Sequence, residues 1–79
     1  MSSPPHTLDA WETGRSARLV RLGGERSFRR RLMELGLLPG TPVRLVRRAD
    51  VGGVLELEVR GCRVTVRRSE ARLLEVEPA

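Results

Sequence analysis

The chain has 79 residues, 15 of them basic and 10 acidic, for a formal net charge of +5. That length admits one domain, and chains this short bury only about 60% of their extended surface. The single cysteine, Cys62, excludes a disulfide framework and a zinc site built on Cys pairs.

No apolar run approaches the ~18 residues of a membrane span. Met1–His6 lacks the charged and apolar regions of a signal peptide. The expectation is a soluble, cytoplasmic single domain. All 15 basic residues are Arg, and Lys, Ile, Asn, Tyr and Gln are absent. Lys, Ile, Asn and Tyr have the codons poorest in G and C, so the preference for Arg reads first as genome composition. The second reading is chemical: the planar guanidinium grips phosphate or carboxylate in two places.

Along the chain, residues 1–7 are Ser/Pro-rich and predict a flexible N-terminus, with the domain proper over 8–77. Arg15–Arg31 holds seven Arg against one Glu, a local balance of +6. Ala17–Leu22 reads as a strand with imperfect alternation, ended by Gly23-Gly24. A short helix is predicted from about Glu25 to Leu35, with Phe28, Leu32 and Leu35 at i, i+4 and i+7 on one face. Gly36 then sits where a left-handed residue ends a helix, and Leu37 and Leu32 are spaced as the hydrophobic pair of a Schellman motif. Pro39-Gly40 fits the centre of a type II turn.

The remainder alternates with period two. Val43–Arg47, Val54–Arg60 and Arg63–Arg68 read as strands, with Ala49–Gly53 a loop and Gly61-Cys62 a type II′ turn. That turn pairs Arg60 with Arg63, Val59 with Val64, Leu57 with Val66 and Glu56 with Arg67, matching apolar to apolar across the hairpin. Ser69-Glu70-Ala71 predicts a helical turn capped by Ser69, and Arg72–Glu77 a last strand. About five short strands with tight turns and one helix suggest a mainly β, small, partly open barrel.

Chemistry-bearing residues are few. Nucleophilic catalysis needs a nucleophile with a base in reach. The one His, His6, lies in the N-terminal stretch, and Cys62 has no His partner. Glu56 and Glu58 share a strand face with Arg neighbours, and no phosphate-binding loop ends in Lys-Ser/Thr. The expectation is no catalytic residue, no enzyme, no cofactor and no dedicated metal site. Asp50, Glu56 and Glu58 do not form a chelating loop; a weak or shared divalent metal, iron or zinc, is left open. Arg26, Arg29, Arg30 and Arg31 ring the helix, with Arg15, Arg18 and Arg21 before it. Such a patch neutralises phosphate or docks on an acidic protein surface. Single-strand binders of this size use aromatic platforms, whereas here Trp11 reads as a lid on the barrel end and Phe28 as core. Glu34 stands at i+4 from Arg30 and is placed to pair with it.

Three stretches resemble one family. Leu8-Asp9-Ala10-Trp11-Glu12-Thr13-Gly14 looks like its opening Leu-x-x-Leu-x-x-Gly, with Trp11 in place of an aliphatic residue. Arg31-Leu32-Met33-Glu34-Leu35-Gly36-Leu37-Leu38-Pro39-Gly40 is similar to its central Arg-Leu-x-x-Leu-Gly-[Leu/Met]-x-Pro-Gly. Arg60-Gly61-Cys62-Arg63-Val64-Thr65-Val66-Arg67-Arg68-Ser69-Glu70-Ala71 resembles its Arg-Gly-x-x-[aliphatic]-x-Leu-Arg-x-x-Glu-Ala. The family is that of ferrous iron transport protein A (FeoA), whose domain also ends some metal-dependent repressors. The loop Ala49–Val54 departs from the family's Ala-Pro-Leu-Gly-Asp-Pro.

The resemblance implies an SH3-like β-barrel with one short inserted helix, as a stand-alone domain. It implies a small cytoplasmic accessory protein of bacterial ferrous iron uptake. The implied partner is the membrane transporter, ferrous iron transport protein B, met through its cytosolic GTP-binding region at the inner face of the membrane, with no membrane insertion and no nucleic acid. Weak self-association is left open. The expected contact is Arg26, Arg29 and Arg30 with Leu38, Pro39 and Gly40. Arg31, Leu32, Leu35, Gly36, Gly61, Glu70 and Ala71 match the family motif as structural residues, Arg31 tying the helix to the barrel. The alternative is a nucleic-acid-binding barrel using the Arg-rich helix face.

Overall fold

A computed structural model describes residues 6–49 and 51–79. Of the sequence expectations, Met1–Pro5 of the N-terminal stretch and Asp50 lie outside the described residues. Six strands are present: β1 (His6–Thr7), β2 (Ser16–Leu22), β3 (Pro42–Arg48), β4 (Val54–Val59), β5 (Cys62–Arg67) and β6 (Leu74–Pro78). A 3-10 turn spans Leu8–Ala10, helix α1 spans Arg26–Glu34 and helix α2 spans Arg68–Ala71. The strands form one antiparallel sheet in the order β1-β6-β2-β3-β4-β5. The sixth strand, unanticipated by the sequence, is the His6–Thr7 pair laid against Val76 and Glu75 of β6. Two residues offer no alternation to read.

The sheet curls around one apolar core. Alternate residues point inward along each strand: Leu55, Leu57 and Val59 of β4, Val64 and Val66 of β5, and Leu74 and Val76 of β6 are all buried. Trp11 covers one end, only 4% exposed, with its indole N–H donating to the Arg15 carbonyl at 3.1 Å. The lid is held in turn by β3. The Arg48 guanidinium donates to the Asp9 carbonyl at 2.6 Å and to the Trp11 carbonyl, and the Gly14 N–H donates to the Leu45 carbonyl at 2.6 Å.

Helix α1 is inserted between β2 and β3, which still pair antiparallel through Ser16–Arg44 and Ala17–Val43. Its exit follows the sequence closely. The Leu37 N–H donates to the Leu32 carbonyl at 2.9 Å and the Gly36 N–H to the Met33 carbonyl at 3.0 Å, the two bonds of a Schellman motif. Gly36 has φ +98°, and Leu32 and Leu37 are buried together. The type II turn follows, with the Thr41 N–H donating to the Leu38 carbonyl at 2.9 Å and Gly40 at φ +91°.

Three local expectations are corrected. Leu35 is not core: it is half-exposed at 51%, because the chain turns at Gly36 and the helix packs through Leu32 and, less completely, Phe28. The β4–β5 turn is Arg60-Gly61, not Gly61-Cys62. Both residues have positive φ, +53° and +82°, as a type I′ turn requires. The pairs are therefore Val59–Cys62, Leu57–Val64 and Leu55–Val66. The expected register differs by two residues and keeps the same faces, so apolar matching could not separate the two registers. Finally, Ser69 is not the cap of α2. Arg67 occupies that position, and the Glu70 carboxylate accepts its backbone N–H at 2.8 Å.

Two stability measurements follow. In Gly36→Ala, a Cβ would have ordinary contact with Val59 at 3.9 Å, so the cost is conformational, about 1–2 kcal/mol in urea unfolding. Arg60→Asn places a residue suited to positive φ at an exposed turn and should stabilise by up to about 1 kcal/mol.

Candidate docking site

Most arginines are occupied by the fold. Arg44 pairs with Glu58, Arg47 and Arg63 with Glu56, Arg21 with Glu75, and Arg72 with Asp9. Arg15 lies over the Trp11 ring, 4.6 Å from its centroid. Arg31, which the family motif marks as structural, ties α1 to the barrel. Its guanidinium meets the Glu70 carboxylate at 2.5 Å across 39 residues of sequence and lies 5.7 Å from the Phe28 ring centroid. Glu70 thereby joins α1 to the start of α2, and Ala71 beside it is fully buried.

Arg18, Arg60, Arg67 and Arg68 make no ion pair among the described residues, and neither do Arg26, Arg29 and Arg30, but only these last three share one helix and one groove. The expected Arg30–Glu34 pair is absent. The helix pitch sets the three along one side of α1, where they border an open groove of about 740 Å³ between α1 and β2. Of the three helix-exit residues that the sequence pointed to, Pro39 lines the groove with the arginines, whereas Leu38 and Gly40 do not. Leu38 is 40% exposed, and Gly40 holds the exit to β2, its N–H donating to the Leu19 carbonyl at 2.7 Å.

Sequence reasoning missed Val20 and Met33, which also line the groove. Val20 is 47% exposed and Met33 42%. The signal for Val20 was the imperfect alternation of β2. Leu19 pairs with Val76 and Arg21 with Glu75, leaving Val20 as the extra residue of a bulge.

The groove's lining offers cationic and apolar contacts. Among the described residues no three His, Cys, Asp or Glu side chains gather as metal ligands, and no helix is long and apolar enough to cross a membrane. Trp11 is buried and Phe28 partly so, packed against the core.

Comparison with known proteins places this geometry. The model of the FeoA domain matches residues 6–78. The chain belongs to the FeoA domain family. The solution structure of the FeoA protein from Chlorobium tepidum is 33% identical, with a TM-score of 0.87 over 92% of this chain and 70% of that one. Iron(II) transport protein A from Clostridium thermocellum is 28% identical, with a TM-score of 0.86 over 94% of this chain and 46% of that one. A manganese-dependent transcriptional repressor shares the fold at 16% identity, with a TM-score of 0.88 over all of this chain and 44% of the repressor. The FeoA fold is the SH3-like one expected, built here as a curled sheet whose two outer strands, β1 and β5, do not pair with each other.

The Arg31–Glu70 contact predicts a pH dependence. The Glu70 carboxyl is held below its ordinary value of 4.5, chiefly by the Arg67 N–H and then by Arg31, while partial burial acts the other way. A carboxyl depressed in the folded state contributes stability above its unfolded pKa and loses it as pH falls through the folded one. Glu70→Gln should therefore be less stable than the parent chain at pH 7, and the gap should close as pH drops below about 4.5 in urea titrations.

Proposed function

We propose that this FeoA-family chain is a small cytoplasmic accessory protein of bacterial ferrous iron uptake that acts by docking and regulation, without catalysis. Membership of the family and likeness to an iron(II) transport protein support the iron assignment. Iron is then the cargo of the system and not a resident cofactor of this domain. The partner proposed is the membrane transporter, ferrous iron transport protein B, met through its cytosolic GTP-binding region.

The observation that carries the docking reading is the groove beside α1. Three arginines that make no ion pair among the described residues stand there next to a backbone fixed by the Schellman exit and the Leu38–Thr41 turn. A backbone already fixed needs no ordering when a partner binds, so the ordering cost falls on the arginine side chains alone. Cationic rims also speed and orient association with acidic surfaces.

The test is affinity for the transporter's cytosolic region. Arg29→Glu/Arg30→Glu, folded by circular dichroism, should bind about ten- to a hundredfold more weakly, since two like-charge contacts replace two attractive ones. Unchanged affinity would overturn the reading.

A further inference from the structure

The groove beside α1 has an apolar component that a purely electrostatic contact does not use. Val20 and Met33 line it from opposite walls, one on β2 and one on α1, with Leu22 and Pro39. Alternation from Leu19 turns Val20 outward, and the bulge keeps Arg21 outside beside it instead of sending it into the core. The burial of β2 alternates through Leu19, then fails at Val20 and Arg21, and resumes inward at Leu22. An in-register strand would leave no extra residue at this point, and bulges characteristically re-aim a side chain beside a functional surface. The bulge is held in place by the helix exit: on its N-terminal side, the Leu19 N–H donates to the Thr41 carbonyl at 2.9 Å and the Leu19 carbonyl accepts the Gly40 N–H at 2.7 Å.

Around this apolar pair the charge is one-sided. Arg21, Arg26, Arg29 and Arg30 line the groove against a single acid, Glu34. Of the four, Arg21 is engaged with Glu75 at 3.7 Å, which leaves the three helix arginines to meet an incoming anion.

Resting on the docking reading above, we infer that the groove receives a short acidic protein segment carrying an aliphatic anchor. The anchor seats between Val20 and Met33 while flanking carboxylates meet Arg26, Arg29 and Arg30. Charge complementarity selects an acidic occupant. The apolar walls select a protein side chain over the headgroup of a lipid or a nucleic-acid backbone, neither of which supplies an aliphatic group between its charges.

The test titrates the full isotopically labelled chain with three capped peptides, Glu-Glu-Leu-Leu-Glu-Glu, Glu-Glu-Ser-Ser-Glu-Glu and Lys-Lys-Leu-Leu-Lys-Lys, following backbone amide shifts by NMR. The acidic Leu peptide should move Val20, Met33 and the α1 arginines in a saturable way. The Ser peptide should bind about tenfold more weakly, the expected effect of removing one buried aliphatic side chain. The Lys peptide should not bind. Val20→Ser and Met33→Gln should each weaken the acidic Leu peptide several-fold while leaving the Ser peptide unchanged; Met33, on the exposed side of the helix, serves should the bulge variant misfold.

Equal affinity of the two acidic peptides would overturn the inference. So would shifts that map outside the groove, absence of saturable binding, or tighter binding of phosphatidylglycerol vesicles or single-stranded DNA with no dependence on Val20 or Met33. Competition against the transporter's cytosolic region separates the two proposals. If the region binds but the acidic Leu peptide does not displace it, the anchor inference fails and docking stands. If the peptide binds in the groove while the region does not bind at all, the transporter reading fails and the acidic-anchor site stands.

Discussion

Helix α1 buries one side chain completely, Leu32, so its place on the barrel depends on how its last turn is tied down. Burial of a leucine contributes about 1.5–3 kcal/mol, too little to orient a nine-residue helix unaided. The Schellman bonds at Gly36 bring Leu37 back onto Leu32, and the Arg31–Glu70 pair fixes the same turn to the start of α2. The ion pair is partly exposed, and such pairs contribute little to stability in isolation. Its effect here is geometric. It joins two segments 39 residues apart while Glu70 also satisfies a free N–H at the beginning of α2.

From that anchoring follows the separation between arginines that hold the fold and arginines that face outward. Four strand arginines, Arg21, Arg44, Arg47 and Arg63, find glutamates across the sheet, because alternating strands place opposite charges on the outer face. On α1 the pattern differs. Arg26, Arg29 and Arg30 lie along one flank of the helix, bordering the groove with β2, and make no ion pair among the described residues. The net charge of +5 therefore has a local meaning at the groove that the total does not convey.

The bulge in β2 adds the apolar half of that surface. With Ala17 and Leu19 inward, a regular strand would turn Arg21 into the core; the bulge instead leaves Val20 and Arg21 both outside and returns Leu22 inward. The turn after α1 holds Leu19 on both its N–H and its carbonyl, so the helix exit and the bulge are parts of one arrangement. The residues that end the helix also shape the groove beside it.

Local chemistry was legible in the sequence wherever a residue type has one backbone use. Gly36, Pro39 and Gly40 specified the helix exit, alternation specified β3 to β6, and the resemblance to the family's motifs marked Arg31 and Glu70 before their contact was visible. Where two solutions satisfy the same local rule, only the tertiary structure decided. The hairpin register shifts by two without changing faces, and the choice fell to the positive φ of Arg60 and Gly61. Leu35 fits the apolar helix face, but the sharp turn at Gly36 leaves it outside. Val20 is the clearest case, since a bulge is defined by the partner strand: the sequence of β2 records only a broken alternation, and the pairing with β6 determines that the extra residue lines the groove.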